Sequence, residues 1–285
     1  MLKPSSRGEQ MPASPIRKLV PFAEEAKKRG VKVHHLNIGQ PDIETPASVL
    51  DAVRHADIKV LAYSHSAGNE SYRKKLVGYY EKVGVTLDAG EIIITTGGSE
   101  AIVFGMMACL DEGDEIIIPE PFYANYNGFA VMAGVKIVPI TSQIENGFAL
   151  PPIAEFETRI TPKTKAILIC NPNNPTGYLY SKEEMEQLED ICLRHQLFLF
   201  SDEAYREFCY EGTYTSAMQL GKIHEQVILM DTISKRYSAC GARIGAFITK
   251  NKEVYQAAMK FAQARLSPPG LAQILGEAAV DLPDA

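Results

Sequence analysis

The chain has 285 residues, of which 46% are hydrophobic and 22% charged, and its formal net charge is −6. No apolar run approaches the roughly 18 residues that a membrane helix requires, so we expect no membrane-spanning segment and no membrane partner. The pI of about 5.6 gives no broad basic surface, so nucleic acid is not an expected partner.

The N-terminal segment MLKPSSRGEQMPASPIRKL lacks the apolar centre of a secretory signal. Its prolines and serines are typical of a mobile arm or of one that lies on a partner. The cysteines are scattered without CxxC spacing, which favours a reducing compartment and a cytoplasmic protein. They are Cys109, Cys170, Cys192, Cys209 and Cys240.

Apolar runs predict six strands, with helical stretches between them. The strands lie at roughly 91–95, 115–119, 135–139, 165–170, 197–201 and 226–230. This alternation favours right-handed βαβ units and an α/β fold with a mainly parallel sheet. Residues 243–250 predict a further strand, and its short connection from 226–230 favours antiparallel pairing. The capping box Ser181-Lys182-Glu183-Glu184 predicts a helix whose apolar stripe is Met185, Leu188 and Cys192.

The segment Thr96-Gly97-Gly98-Ser99-Glu100 follows the first strand and opens a helical pattern. Glycines at a helix start let backbone N–H groups point at a phosphate, and the helix dipole helps. Gly98 and Ser99 are therefore candidate phosphate-binding residues, although a bare Gly-Gly turn is common. The dinucleotide pattern G-x-G-x-x-G is absent here.

Polar segments follow three of the apolar strands. The strand at 165–170 leads into NPNNPTG, the strand at 197–201 into SDEAY, and the strand at 226–230 into DTISK. Ligands of open α/β sheets bind at the carboxyl ends of the strands. The sequence therefore predicts that Asn174, Asp202 and Lys235 lie at one edge of the sheet.

Lys235 lies close in the sequence to side chains that can bind an anion. Its amine can form a covalent bond with an aldehyde, while Thr232, Ser234 and Arg243 can hold a phosphate. A lysine followed by glycine is also common as a solvated strand end.

The segments NPNNPTG, SDEAY and SKRYSACGARIG, in this order and spacing, resemble the aspartate-aminotransferase family of class I/II aminotransferases, fold type I. NIGQPD at 37–42, YSHSAGNESYR at 63–73, TTGGSEA at 95–101 and PEPFYANY at 119–126 also match the family's pattern in sequence order. The resemblance covers essentially the whole chain. It implies a mainly parallel, seven-stranded sheet with helices on both faces, plus a remnant of a small domain.

The resemblance implies pyridoxal 5'-phosphate as the cofactor, attached to Lys235. Asp202 would face the ring nitrogen and keep it protonated. Tyr205 and Asn174 would reach the ring's phenolic oxygen, and Tyr123 would stack on the ring. From the residues alone, Asp202 could instead cap a helix, Asn174 could form an ordinary turn, and Tyr123 could pack in the core.

Two further residues take roles only through the resemblance. The backbone of Gly39, in NIGQPD, would contact the substrate near its carboxylate, where Asn174 would also lie. Tyr63 would cross a dimer interface to the phosphate of the neighbouring subunit. The resemblance therefore implies a homodimer.

The implied function is an aminotransferase that moves an amino group from an amino acid to a 2-keto acid. Lys235 would carry the proton between substrate and cofactor. Carbon–sulfur lyases and related eliminating enzymes share these cofactor motifs and remain an alternative. A non-catalytic cofactor-binding module is a second alternative.

Family members continue for roughly another hundred residues beyond a point like Ala285. The resemblance implies that residues 1–45 are an arm and the first segment of a small domain, and that residues 46–285 are the large cofactor-binding domain. We expect a C-terminally truncated form without the arginine that binds the substrate carboxylate, which leaves turnover by this chain open. The motifs present do not choose among dicarboxylic, aromatic and aliphatic amino acids.

Overall fold

A single mixed sheet organises the computed structural model, which describes residues 2–282. The strands are β1 (Ile92–Thr95), β2 (Glu115–Glu120), β3 (Lys136–Thr141), β4 (Thr164–Cys170), β5 (Phe198–Asp202), β6 (Val227–Thr232) and β7 (Gly245–Ile248). Their order is β1-β7-β6-β5-β4-β2-β3. Strand β7 is antiparallel to β1 and β6, and the remaining ladders are parallel. The predicted mainly parallel sheet of seven strands is confirmed.

The seventh strand begins two residues later than predicted, at Gly245 instead of Arg243. Arg243 has φ 54°, a left-handed conformation that interrupts extended backbone. The predicted antiparallel pairing with β6 is correct, and it runs from Leu229 opposite Ile248 to Thr232 opposite Gly245.

Ten α-helices surround the sheet within the part of the chain that the structure describes. They are α1 (Ser6–Gln10), α2 (Val20–Lys28), α3 (Ala47–Arg54), α4 (Glu70–Lys82), α5 (Gly97–Cys109), α6 (Asn125–Ala133), α7 (Ile153–Arg159), α8 (Lys182–His195), α9 (Lys252–Ala264) and α10 (Gly270–Val280). None of these helices is long and apolar enough to cross a membrane.

Helix α8 begins at the predicted capping box. The Ser181 Oγ accepts from the Glu184 N–H at 3.1 Å, and the Glu184 carboxylate accepts from the Ser181 N–H at 2.7 Å. Both contacts satisfy backbone donors that a helix start otherwise leaves unpaired. The predicted stripe of Met185, Leu188 and Cys192 is fully buried.

Two apolar layers cover the two faces of the sheet, because successive strand side chains point in opposite directions. On β6, Leu229 packs in a first layer with residues of α4 and α8. Ile228 and Met230 pack in a second layer with residues of α5, α6 and α9. Helices therefore lie on both faces, as predicted.

Gly245 brings the start of α5 against the ends of β6 and β7. A Cβ atom at this position would lie 2.5 Å from the Gly97 carbonyl carbon and 2.6 Å from the Asp231 carbonyl oxygen. Both neighbours are backbone atoms, so no side chain can move aside. The approach places the N-terminus of α5 beside the strand ends from which Lys235 extends.

We predict that Gly245→Ala lowers the free energy of unfolding by about 1–3 kcal/mol or more, because the backbone must shift to admit a methyl group. Urea unfolding measures this change. Gly78→Ala is the matched control, since Gly78 lies within α4 with open space around it. Alanine there should stabilise the helix by about 0.5–1 kcal/mol. Equal stability of wild type and Gly245→Ala would contradict the close-approach argument.

Candidate active site

A cavity of about 810 Å³ opens at the carboxyl ends of the parallel strands. Its volume lies in the range of small-molecule sites. Of the residues that the sequence singled out, all except Tyr63 line it. They are Gly39, Gly98, Ser99, Tyr123, Asn174, Asp202, Tyr205, Thr232, Ser234, Lys235 and Arg243.

Lys235 lies in the turn that follows β6, and its amine is inside the cavity. The Nζ donates to the Gly39 carbonyl oxygen at 2.5 Å and lies 5.8 Å from the centroid of the Tyr205 ring. The Cys240 Sγ is 4.0 Å from the same nitrogen. Contacts from three separate segments of the chain therefore hold the amine where a ligand in the cavity can reach it.

Asn174 and Tyr205 meet on the wall formed by the segments that follow β4 and β5. The Asn174 Nδ2 donates to the Tyr205 hydroxyl at 3.2 Å. Burial raises the pKa of Tyr205, so its hydroxyl stays protonated and can donate. The pair presents an amide and a phenol to the same part of the cavity.

Asp202 ends β5 and carries a buried carboxyl group. Its Oδ2 accepts from the Tyr126 hydroxyl at 2.8 Å, and its Oδ1 accepts from the Ala204 N–H at 3.2 Å. The contact with Ala204 closes a turn, and no helix begins at this turn. Asp202 therefore does not cap a helix. Burial raises the pKa of Asp202 to about 6, although the Tyr126 and Ala204 contacts oppose that shift. Within residues 2–282, no cation forms an ion pair with Asp202.

Groups that can bind an anion also line the cavity. The Thr232 and Ser234 hydroxyl oxygens are 2.7 Å apart. The Arg243 guanidinium approaches the start of α5 so closely that a Cβ atom at Gly97 would lie 2.5 Å from its Nη2. Its Nη1 donates to the Cys240 carbonyl oxygen at 3.2 Å, and in the part of the chain described here it has no ion pair. A guanidinium beside a helix N-terminus is suited to hold a phosphate.

Tyr123 lines the cavity and is positioned from α6. Its hydroxyl accepts from the Asn125 Nδ2 at 2.7 Å, and its ring meets the Tyr126 ring edge-on with centroids 5.4 Å apart. Tyr63, in contrast, is 79% exposed and does not line the cavity of its own chain. Its expected contact with a neighbouring subunit stays a prediction.

Two parts of this site were not predicted from the sequence. Tyr126, in the first turn of α6, holds the Asp202 carboxylate. A signal existed in the sequence, since Tyr126 lies in the same PEPFYANY segment as Tyr123. Ser14 and Arg17 also line the cavity. They lie in the Pro-containing N-terminal segment, where no periodic pattern indicates a contact with the sheet.

Comparison with known proteins identifies the family. The family model described as aminotransferase class I and II matches residues 31–284. The chain belongs to this family.

Individual relatives agree with the family match. The aspartate aminotransferase of Bacillus subtilis is 33% identical over 251 residues, which cover 87% of this chain and 63% of the relative. The aromatic-amino-acid aminotransferase 2 of Thermococcus litoralis is 33% identical over 262 residues, covering 90% of this chain and 66% of the relative. The crystal structure of the aspartate aminotransferase of Thermotoga maritima superposes with a TM-score of 0.93 at 28% identity, over 99% of this chain and 75% of that one. The chain thus spans about two thirds of the length of the curated relatives it matches.

We predict that Asp202→Asn stabilises the protein without added ligand at alkaline pH. Burial raises the Asp202 pKa from 3.8 to about 6, so the folded state favours the protonated carboxyl group. The stability that this proton provides is complete below about pH 4 and is lost as the pH rises through 6. Asparagine is neutral at every pH, so the variant's free energy of unfolding should exceed that of wild type by about 2–3 kcal/mol at pH 8.

Urea unfolding at pH 4, 6 and 8 measures this difference, which should disappear at the lowest pH. Asp231→Asn provides a contrast with the opposite sign, since arginines hold the pKa of Asp231 below its ordinary value. An Asp202→Asn variant that is less stable than wild type at pH 8 would contradict the argument.

Proposed function

We propose that the protein is a pyridoxal 5'-phosphate-dependent aminotransferase that moves an amino group from an amino acid to a 2-keto acid. One observation carries the proposal: the buried Asp202 carboxyl group, the Lys235 amine and the Arg243 guanidinium line one cavity, and within residues 2–282 neither Asp202 nor Arg243 forms an ion pair. These groups are complementary to a ring nitrogen, an aldehyde and a phosphate. Membership of the aminotransferase family supports the same cofactor.

The residues fit this cofactor group by group. Arg243, Thr232 and Ser234 would hold its phosphate, together with the N–H groups of Gly98 and Ser99 at the start of α5. The glycine at 97 supports this fit, because a side chain there would displace the Arg243 guanidinium. The raised pKa of Asp202 is a second argument, since a cationic ring nitrogen would stabilise the ionised carboxylate that burial disfavours.

When bound, pyridoxal phosphate supplies an electron sink that stabilises negative charge on the substrate's α-carbon. Asp202 would hold the ring nitrogen protonated, and Tyr205 and Asn174 would donate to the phenolic oxygen. Tyr123 would cover one face of the ring. The Lys235 amine would bind the aldehyde carbon and, once displaced by a substrate amine, move the α-proton as a general base and acid.

We also propose that the protein acts on amino acid and 2-keto acid pairs as a homodimer in the cytoplasm. Gly39 supports substrate binding by its place beside the Lys235 amine. The exposed ring of Tyr63 is available to reach a neighbouring subunit. Residues 46–285 would form the large cofactor-binding domain, with residues 1–45 as the arm and the start of a small one.

We predict that borohydride reduction of the cofactor-loaded protein fixes the label on Lys235. The modified lysine resists trypsin, so the label should appear on the peptide that contains residues 223–236. Lys235→Ala should abolish this label, while Lys250→Ala, a half-buried lysine that lies outside the cavity, should keep it. Label on another lysine of the wild type, with none on Lys235, would refute the site assignment.

We predict that the protein, supplied with aspartate, phenylalanine or alanine and a 2-keto acid acceptor, forms the donor's keto acid and the acceptor's amino acid in equal amounts. Chromatography of both products measures the stoichiometry, and Lys235→Ala is the inactive control. Release of ammonia without an aminated acceptor would indicate an eliminating enzyme instead. Binding of cofactor without any product would contradict turnover by this chain.

A further inference from the structure

Four charged side chains are buried beneath the floor of the cavity, on the α4 and α8 side of the sheet. We name Glu203, Arg206, Asp231 and Arg236 the buried ion network. Their side chains are between 0 and 4% exposed. Two guanidinium groups face two carboxylates, so the network has no net charge.

Asp231 is the centre of the network. The Arg236 guanidinium donates to both of its oxygens, at 3.0 Å to Oδ1 and 2.8 Å to Oδ2. The Tyr80 hydroxyl donates to Oδ2 at 2.5 Å, and the Arg206 Nη2 lies 3.5 Å from the same oxygen. Burial opposes ionisation, but the two arginines outweigh it and hold the pKa of Asp231 below its ordinary value.

Arg206 joins this centre to a second carboxylate. Its Nε donates to the Glu203 Oε2 at 3.2 Å. Glu203 also accepts from the Ser216 hydroxyl at 2.9 Å and from the Ala217 N–H at 3.0 Å. The Tyr79 ring covers the outer side, with its centroid 4.5 Å from the Arg236 Cζ. The charged groups are therefore paired, hydrogen-bonded and closed off from water.

Each member of the network is the chain neighbour of a residue that lines the cavity. The pairs are Asp202 and Glu203, Tyr205 and Arg206, Thr232 and Asp231, and Lys235 and Arg236. At the strand ends this follows from alternation, because Thr232 and Asp231 point to opposite faces of the sheet. In the two turns, the neighbouring side chains likewise point to opposite sides.

Stability alone is a weak reason for such a network. Burying four charges costs desolvation free energy, and well-packed apolar residues often give equal or greater stability. The ion pairs add a defined geometry, since a bidentate guanidinium fixes its partner's position more closely than apolar contact does. Here the ion pairs fix the positions of the backbone segments that carry Tyr205 and Lys235.

We propose that the buried ion network is a positioning element, in which Arg236, held by Asp231, fixes the turn that places the Lys235 amine in the cavity. Arg206, held by Glu203 and Asp231, fixes Tyr205 in the same way. The inference rests on the proposed function, since it assigns Lys235 as the residue to be positioned. Arg236 does not line the cavity, so it acts only through its neighbour.

The test measures how fast the cofactor-free protein captures pyridoxal phosphate on Lys235, by borohydride quenching and peptide mass spectrometry. In Arg236→Gln, capture should slow by about tenfold or more, because misplacing a reacting group by 1 Å costs up to about 10²-fold. Arg236→Lys should fall between this variant and wild type. The pH midpoint of the absorbance of the lysine-bound cofactor should shift most in Arg236→Gln and less in Arg236→Lys. Loss of stability alone would not cause this shift.

Glu115→Gln is the matched control. Glu115 is a buried carboxylate paired with Lys136 at 2.9 Å. It is the first residue of β2 and therefore lies at the amino ends of the parallel strands, away from the cavity. This variant should lose stability yet capture the cofactor within about twofold of the wild-type rate, because distant sites act independently.

Two outcomes distinguish failure of the positioning role from failure of the proposed function. Wild-type capture at a lysine other than Lys235 would overturn both proposals. Capture at Lys235 with unchanged rate and pH midpoint in Arg236→Gln would overturn the positioning role alone. If Arg236→Gln does not fold, the same measurement is made on Arg236→Lys and on Tyr80→Phe, which removes one hydrogen bond to Asp231. Wild-type capture rates and pH midpoints in both variants would overturn the positioning role.

Discussion

Buried charge at the carboxyl edge of the sheet is the constraint on which the rest of this molecule depends. Asp202 is the last residue of β5 and Asp231 the last but one of the neighbouring β6. Both are shielded from water, yet their environments differ. Two guanidinium groups, from Arg206 and Arg236, face Asp231 and lower its pKa. The Tyr126 hydroxyl donates to Asp202, and burial raises the pKa of Asp202 to about 6. Asp202 lines the cavity, and Asp231, which the two arginines neutralise, lies behind it. Paired groups whose environments separate their pKa values are typical of functional sites.

Much of the fold could be predicted because its signals are local. Apolar runs gave six strands to within two residues, and the capping box at Ser181 marked the start of α8. The rule that ligands bind at the carboxyl ends of parallel strands then predicted that Asn174, Asp202 and Lys235 lie together, and all three line one cavity. Residue type and position along the chain were sufficient for these statements.

The contacts that hold the site could not be predicted, because they join distant parts of the chain. The Lys235 amine meets Gly39 across 196 residues, and Tyr80 meets Asp231 across 151. Arg236, which follows a cofactor-type lysine, gives no sign in the sequence that its guanidinium is buried. The left-handed backbone at Arg243 could not be predicted either, because arginine rarely adopts φ 54° and the surrounding packing enforces it.

Burial should destabilise the ionised form of Asp202 until a cationic ring nitrogen faces it. Nuclear magnetic resonance titration of the Asp202 side-chain carbon, without and with pyridoxal phosphate, measures this most directly. The midpoint in the protein alone should lie near 6, because burial raises the pKa of Asp202. With cofactor bound, the midpoint should fall to about 4 or below, because an adjacent opposite charge lowers a carboxyl pKa by about 1–3 units. The same midpoint in both samples would contradict the claim.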